Sequence, residues 1–360
     1  MPSPNRPSHL SSRRSALGLG LGLGLATLGS SIVPLQGATA SSRIGGPGPQ
    51  PLSLLDTRTG GRLEVVESFA SAHAAPRKLV LWLPPGYDKR LPHAVLYMHD
   101  GQNLFDPGAA NGGVSWDVDL RLAALIAQRA VRPTLVAGIW NTPLRWREYV
   151  PAPALQRLSP ELQALVHGLA VGDLPAAQGG PLSDGYLRFI VEELKPWVDA
   201  RYRTLPGRDD TFIMGSSMGG LISLQALLRH PDVFGGAGCV STHWPVTTNR
   251  PLLQRVGAGD AGAQAHVTAI GQAWLDEVAA RLPPPGRHRL YMDHGTLNLD
   301  ALYAPFQQRM DAIVARAGWK AGSQVMSRVF PGADHNEASW SERVAIPLRF
   351  LLAPSGAARG

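Results

Sequence analysis

One cysteine, Cys239, stands among 360 residues. An intramolecular disulfide is thereby excluded, and so is a zinc or iron–sulfur centre built on cysteines. Cys239 lies in the small apolar run GGAGCVS, the setting of a buried inert thiol rather than a nucleophile. Charge is sparse too: 17% of residues are charged against 44% hydrophobic. The formal net charge is +7, yet the basic residues are scattered, with no Lys/Arg block and no aromatic interleaving. A nucleic-acid partner, which needs a phosphate-tracking stripe, is not expected. Asp100, Asp106, Asp117 and Asp119 match no calcium-loop spacing, so no metal or other cofactor is expected either.

Acids are absent from residues 1–40, which hold Arg6, Arg13 and Arg14 and leave 7 − 3 = +4 for the remainder. A basic start, a glycine-interrupted apolar run and Ala38-x-Ala40 read as an export signal cleaved near Ala40. The Arg13-Arg14 pair suits the twin-arginine export machinery. The run is short for a bilayer, and each glycine costs a helix about 1 kcal/mol relative to alanine, so no stable membrane anchor is expected. The expectation is a soluble periplasmic or secreted protein.

A Pro/Gly/Ser-rich linker over 41–55 leads into one domain over 56–353. RLEVVESF and RKLVLWLPP alternate with period two and predict an antiparallel entry to a sheet; HAVLYMHD and TLVAGIWN are denser, as strands buried on both faces should be. DTFIMG, GGAGCVS, RHRLYMDHG and SQVMSRVFP read as further strands. Helices are predicted over DGYLRFIVEELKPWVDARY with Asp184 as its cap, over MGGLISLQALLRH, from Leu302 to Ala317, and from Trp340 to Leu352. Such alternation means a mostly parallel central sheet with helices on both faces, ligands binding at the carboxyl ends of the strands. Two segments break the alternation, near 142–183 and 244–287, and are expected to project over that edge as cap-like insertions.

Gly215-Ser216-Ser217-Met218-Gly219 is G-x-S-x-G between a predicted strand and a predicted helix, the context of a nucleophile elbow centred on Ser217. A phosphate loop would need Lys-Ser/Thr after the last glycine, where Gly220-Leu221 stands; the dinucleotide fingerprint is absent. A serine hydroxyl needs a base, and the base needs an acid to hold its tautomer. His335 follows the last strand, while His99, His243 and His294 sit at earlier strand ends. Asp300 is favoured as the acid over Asp293, which lies still within its strand. The oxyanion donors expected are the backbone amides of Met218 and of Gln102, after Gly101.

The segments YMHDGQNLFD, GSSMGGLISL, STHWP and DHG followed by LD resemble the putative-esterase branch of the α/β-hydrolases, from about Leu79 to Leu351. That branch includes S-formylglutathione hydrolase, feruloyl and acetyl-xylan esterases, trilactone esterases of the enterobactin type and mycolyltransferases. The resemblance implies the α/β-hydrolase fold, Ser217 as nucleophile, His335 as base, and the Gln102 and Met218 amides as oxyanion hole. The acid transfers less cleanly: many members carry it three residues after the glycine, where Asn298 stands, and Asp300 is the nearest match.

On the substrate side, NTPLRWREYVP gathers Arg145, Trp146, Arg147 and Tyr149. Arginine forks and aromatic faces suit a planar or anionic acyl group, and Arg147, Trp146, His243 and Trp244 are the candidate contacts. Equally, Arg147 and Glu148 read as a solvated charged face with Trp146 packing the cap. The expected function is an exported serine carboxylic-ester hydrolase acting through an acyl-enzyme. Its substrate is a small-molecule ester: a siderophore trilactone, an aryl or feruloyl ester, or an acetyl ester. An acyltransferase using the same acyl-enzyme is the alternative, and a non-catalytic binding protein on this scaffold a more distant one.

Overall fold

The computed structural model describes residues 53–56, 59–88, 90–166 and 179–354. The export signal expected over 1–40 and the linker up to residue 52 lie outside them. Nine strands form one sheet: β1 (Ser53–Asp56), β2 (Arg62–Phe69), β3 (Arg77–Leu83), β4 (Ala94–His99), β5 (Thr134–Ile139), β6 (Thr211–Ser216), β7 (Gly236–Val240), β8 (Arg289–His294) and β9 (Val325–Val329). Their order is β1-β2-β3-β5-β4-β6-β7-β8-β9. β1, β2, β3 and β5 pair antiparallel, whereas β5, β4, β6, β7, β8 and β9 run parallel. The mostly parallel sheet with an antiparallel entry is thus as the patterning predicts. One boundary differs. The end of the expected linker is strand, because Leu55 pairs with Leu63.

The parallel strands read as continuous apolar runs because both of their faces are covered. Along β4, Val95 and Tyr97 face one core cluster, while Ala94, Leu96 and Met98 face the other. The helix Met218–Arg229 covers the first face and the helix Ala345–Leu351 the second. Such strands need crossovers, which bring their carboxyl ends to one edge.

Two helical expectations need correction. Asp184 is not a cap: the helix starts at Ser183 with no side-chain cap bond, and the Asp184 carboxylate lies 3.9 Å from Arg229. The helix continues through a wide π turn, Phe189–Leu194, into Lys195–Arg201. Pro196, whose missing N–H interrupts the ordinary ladder, adjoins that wide turn. The terminal helix is two, Glu337–Arg343 and Ala345–Leu351. It begins earlier than predicted because Asn336 Oδ1 accepts from the Ser339 N–H (3.0 Å).

The first insertion holds three short helices, Arg145–Tyr149, Ala152–Gln156 and Pro160–Val166; its residues 167–178 lie outside the described ones. The second holds Arg250–Gly257 and Ala261–Arg281, each opened by a side-chain cap from Asn249 or Asp260. The insertions pack on each other. Arg157 Nη2 donates to Glu277 Oε2 (2.7 Å), and the Thr247 hydroxyl to the Leu165 carbonyl (3.0 Å).

Candidate active site

Ser217 lies between β6 and the helix Met218–Arg229 with φ 57° and ψ −119°. Those angles belong to the first central residue of a II′ turn, where glycine is the natural occupant, so a serine there carries backbone strain. The surroundings enforce it. The Ser217 N–H donates to the Val240 carbonyl (2.9 Å), and the Ser217 carbonyl accepts from His243 (3.1 Å) and Gly220 (3.0 Å). Gly215 has no alternative, since a Cβ there would meet the Gly219 backbone at 2.9 Å.

His335 Nδ1 lies 2.6 Å from Asp300 Oδ1. The other Asp300 oxygen accepts from the Ser241 hydroxyl (2.7 Å) and the Gly295 N–H (2.6 Å). Burial pushes this carboxyl up, but His335, the Ser241 hydroxyl and the Gly295 amide together hold it below the usual carboxylate range. It is ionised at neutral pH. His335 sits edge-on between Tyr303 (5.7 Å) and Trp340 (5.0 Å), which fix its plane. With Nδ1 engaged by the acid, Nε2 is the nitrogen left for chemistry. Ser217 and the acid–imidazole pair hang from adjacent residues at the end of β7: Val240 holds the first, Ser241 the second.

Sequence reasoning missed Ser241, a small polar residue after a strand with nothing to distinguish it. Its hydroxyl accepts from Trp340 Nε1 (3.0 Å) and Arg343 Nη2 (2.7 Å), filling both lone pairs and leaving its proton for Asp300. Asp293 is held differently. It accepts from the Ser241 N–H (3.0 Å), the Tyr291 hydroxyl (2.7 Å) and Arg343 (3.2 Å). Burial raises its carboxyl above the usual range in spite of these partners.

β4 is followed by Asp100, left-handed at φ 55°, and then by a 3-10 turn, Gly101–Asn103. The Asn103 N–H closes that turn on the Asp100 carbonyl (2.9 Å). The Gln102 amide precedes any acceptor within its turn, as the Met218 amide does in the first turn of its helix. Gly101 is required, because a Cβ there would meet the Gly138 carbonyl carbon at 2.7 Å. A clamp sets the turn: Arg145 grips Asp100 bidentately (2.7 and 2.7 Å), and Asn141 Nδ2 adds a third bond (2.7 Å). Arg145 also lies over the Tyr149 ring at 5.0 Å.

Several expected substrate contacts are engaged elsewhere. His243 is buried with both ring nitrogens occupied, by the Tyr303 hydroxyl (2.8 Å) and the Thr247 carbonyl (2.6 Å). Trp244 is fully buried and donates to Gln307 (3.1 Å). Both are buried in the interior, in a turn whose Ser241 and Val246 have positive φ. Arg147 donates to the Gly180 carbonyl (2.9 Å) rather than standing free. Trp146 is half-buried against the core. The solvated-face reading fails at Glu148, which is buried in an ion pair with Arg77 (2.5 Å). Among the histidines, burial drives His99 to about 3 and His243 to about 4, so neither gains a proton near neutrality. His294 is buried, its Nδ1 2.6 Å from the Gly295 carbonyl.

Comparison with known proteins agrees with the fold. Ferri-bacillibactin esterase BesA of Bacillus subtilis strain 168 is 41% identical over 73 residues, 20% of this chain and 23% of BesA. The uncharacterized protein YbbA of the same organism is 27% identical over 179 residues, 49% of this chain and 61% of YbbA. The chain thus spans under two thirds of either curated relative. The solved IroE-like serine hydrolase of Shewanella oneidensis superposes with a TM-score of 0.53 at 19% identity, over 81% of this chain and 80% of that one. At that identity it speaks for the fold alone. The model of the Putative esterase family matches residues 170–350, just over half the sequence and the part holding Ser217, Asp300 and His335, and the chain belongs to that family.

Proposed function

We propose that the protein is a serine carboxylic-ester hydrolase working through an acyl-enzyme, with Ser217 as nucleophile, His335 as base and Asp300 as the orienting acid. The observation that carries this reading is the buried Asp300 carboxylate on His335 Nδ1 (2.6 Å), tied through the exit of β7 to the strained Ser217 turn. Ser217 Oγ attacks the ester carbonyl carbon as its proton passes to His335 Nε2. The oxyanion that forms is held by the Gln102 and Met218 amides, each worth about 3 kcal/mol in the transition state. When the tetrahedral intermediate collapses, the C–O bond to the alcohol breaks and the departing alkoxide takes the proton from His335. Water then attacks the acyl-enzyme along the same path and releases the acid. The substrate is a small-molecule ester, and the BesA likeness supports a siderophore or aryl acyl group within that class.

The test incubates purified protein with a fluorophosphonate probe and with aryl, feruloyl, acetyl-sugar and catecholate-lactone esters. Stoichiometric labelling of Ser217 and turnover of at least one ester class are expected. A protein that takes no label and hydrolyses none of them is not an esterase of this mechanism. Export is proposed on the Arg13-Arg14 segment and Ala38-x-Ala40 alone. Replacing both arginines by lysine is expected to leave the precursor uncleaved in the cytoplasm, and unchanged export would remove the twin-arginine assignment.

A further inference from the structure

Positive charge that is scattered along the chain is gathered by the fold at the edge opposite Ser217. A cavity of about 600 Å3 opens at the amino-terminal ends of β6, β7 and β8, where Phe212, Gly235 and Arg289 line it. Arg132, Arg287, Arg289 and Lys320 line it as well, with Asp209 as the one carboxylate in that lining. Arg132 is paired with Asp210 (2.5 Å), and Arg287 with Asp209 (2.9 Å), which Arg208 also contacts (3.0 Å). Arg289 has no carboxylate partner among the described residues. One of its nitrogens donates to the carbonyls of Phe350, Leu351 and Ala353. Lys320 is exposed and has no ion-pair partner among the described residues. Two carboxylates, Asp209 and Asp210, therefore face five cations. The crowding shows at Arg289, whose charge is disfavoured by burial and by neighbouring Arg132.

A second observation marks the same cavity. His288 lines it, is 7% exposed, and stacks on Trp319 (6.3 Å between centroids). Its Nε2 lies 2.8 Å from the Pro231 carbonyl and must be the donor, so in the neutral ring Nδ1 carries a lone pair. That Nδ1 is buried without a hydrogen-bond partner among the described residues and lies 4.0 Å from the Cβ position of Gly286, another lining residue. A buried polar nitrogen left unpaired costs free energy unless a ligand or water meets it. Excess positive charge in the cavity and one buried, unpaired acceptor in its wall thus stand side by side. Hydrogen phosphate and phosphomonoesters, which carry negative oxygens and a P–OH, match both; sulfate has the charge but no proton to donate. An adjoining cavity of about 870 Å3 shares Arg289 and Ser323 and adds Arg328 and Arg349, leaving room for an esterified group.

We propose that this cavity binds a phosphate group, as inorganic phosphate or a phosphomonoester, with Lys320 and Arg287 on its oxygens and His288 Nδ1 accepting from its P–OH. The test is calorimetric titration of the full chain with inorganic phosphate and with sulfate at one ionic strength. Phosphate is expected to bind saturably and about ten-fold more tightly than sulfate, the effect of one hydrogen bond. The exposed pair Arg287→Glu/Lys320→Glu should lose phosphate binding and keep wild-type ester hydrolysis. His288→Phe, which retains the stack on Trp319, should lose the preference over sulfate. Vesicles of phosphatidylcholine with phosphatidic acid separate the sources: capture reversed by inorganic phosphate assigns a lipid monoester, and no capture assigns a soluble one. Equal weak responses to phosphate and sulfate, or full phosphate binding by the double variant, would overturn the site.

Discussion

Ser217→Ala is expected to lower kcat for ester hydrolysis by about 10^4- to 10^6-fold, with folding unimpaired. In the proposed mechanism the side chain supplies the attacking oxygen, whereas the main chain supplies the fold. The Ser217 N–H to Val240, and the bonds its carbonyl accepts from His243 and Gly220, survive any side-chain change. Ser217→Gly sharpens the test. At φ 57°, ψ −119° a Cβ is unwelcome, so glycine should be as inactive as alanine yet more stable by about 1 kcal/mol. Initial rates on the best ester, together with thermal midpoints for the three proteins, read both effects. Alanine activity within ten-fold of wild type would remove Ser217 from the mechanism.

The second large effect separates two buried aspartates seven positions apart. Asp300→Asn should lower kcat by about 10^3- to 10^4-fold while leaving the fold in place. Asp300 accepts from Ser241, Gly295 and His335 at once, and asparagine has one acceptor oxygen for these three donors. Its amide N–H2 then faces a donor, or turns on His335 and demands the wrong tautomer. Asp293→Asn should act on stability instead. It leaves the Arg343 guanidinium, whose side chain is 4% exposed, without its counter-charge, at a cost of about 3–5 kcal/mol. The folded fraction should keep kcat within a few-fold. Denaturant midpoints beside kcat for both variants decide the matter, and a near-wild-type kcat for Asp300→Asn would reassign the acid.

The strands of the parallel sheet were legible because burial on both faces leaves unbroken apolar runs, as in β4 and β5. The residues at their carboxyl ends were legible for a related reason: topology delivers all of those ends to one edge. Direction within a turn was not legible. His243 and Trp244 follow β7 just as His335 follows β9, but they are buried on interior partners, His243 on Tyr303 and Thr247 and Trp244 on Gln307. Arg145 and Arg147 differ by two helical positions, about 200° around the axis, so one clamps the turn beside the elbow and the other holds Gly180. The Glu148–Arg77 pair joins residues 71 positions apart, and no local pattern announces such a partner.

Ser241 has a temporal consequence. Its donors Trp340 and Arg343, and the imidazole bonded to Asp300, all come from the stretch that follows β9. The sheet edge carrying Ser217 can form while that stretch is still in the ribosome. Nothing then consumes the two lone pairs of Ser241, and no imidazole stands at Asp300. A nascent chain therefore carries the strained Ser217 turn without the imidazole that the proposed mechanism assigns as its base, and reactivity waits until the helix Glu337–Arg343 docks.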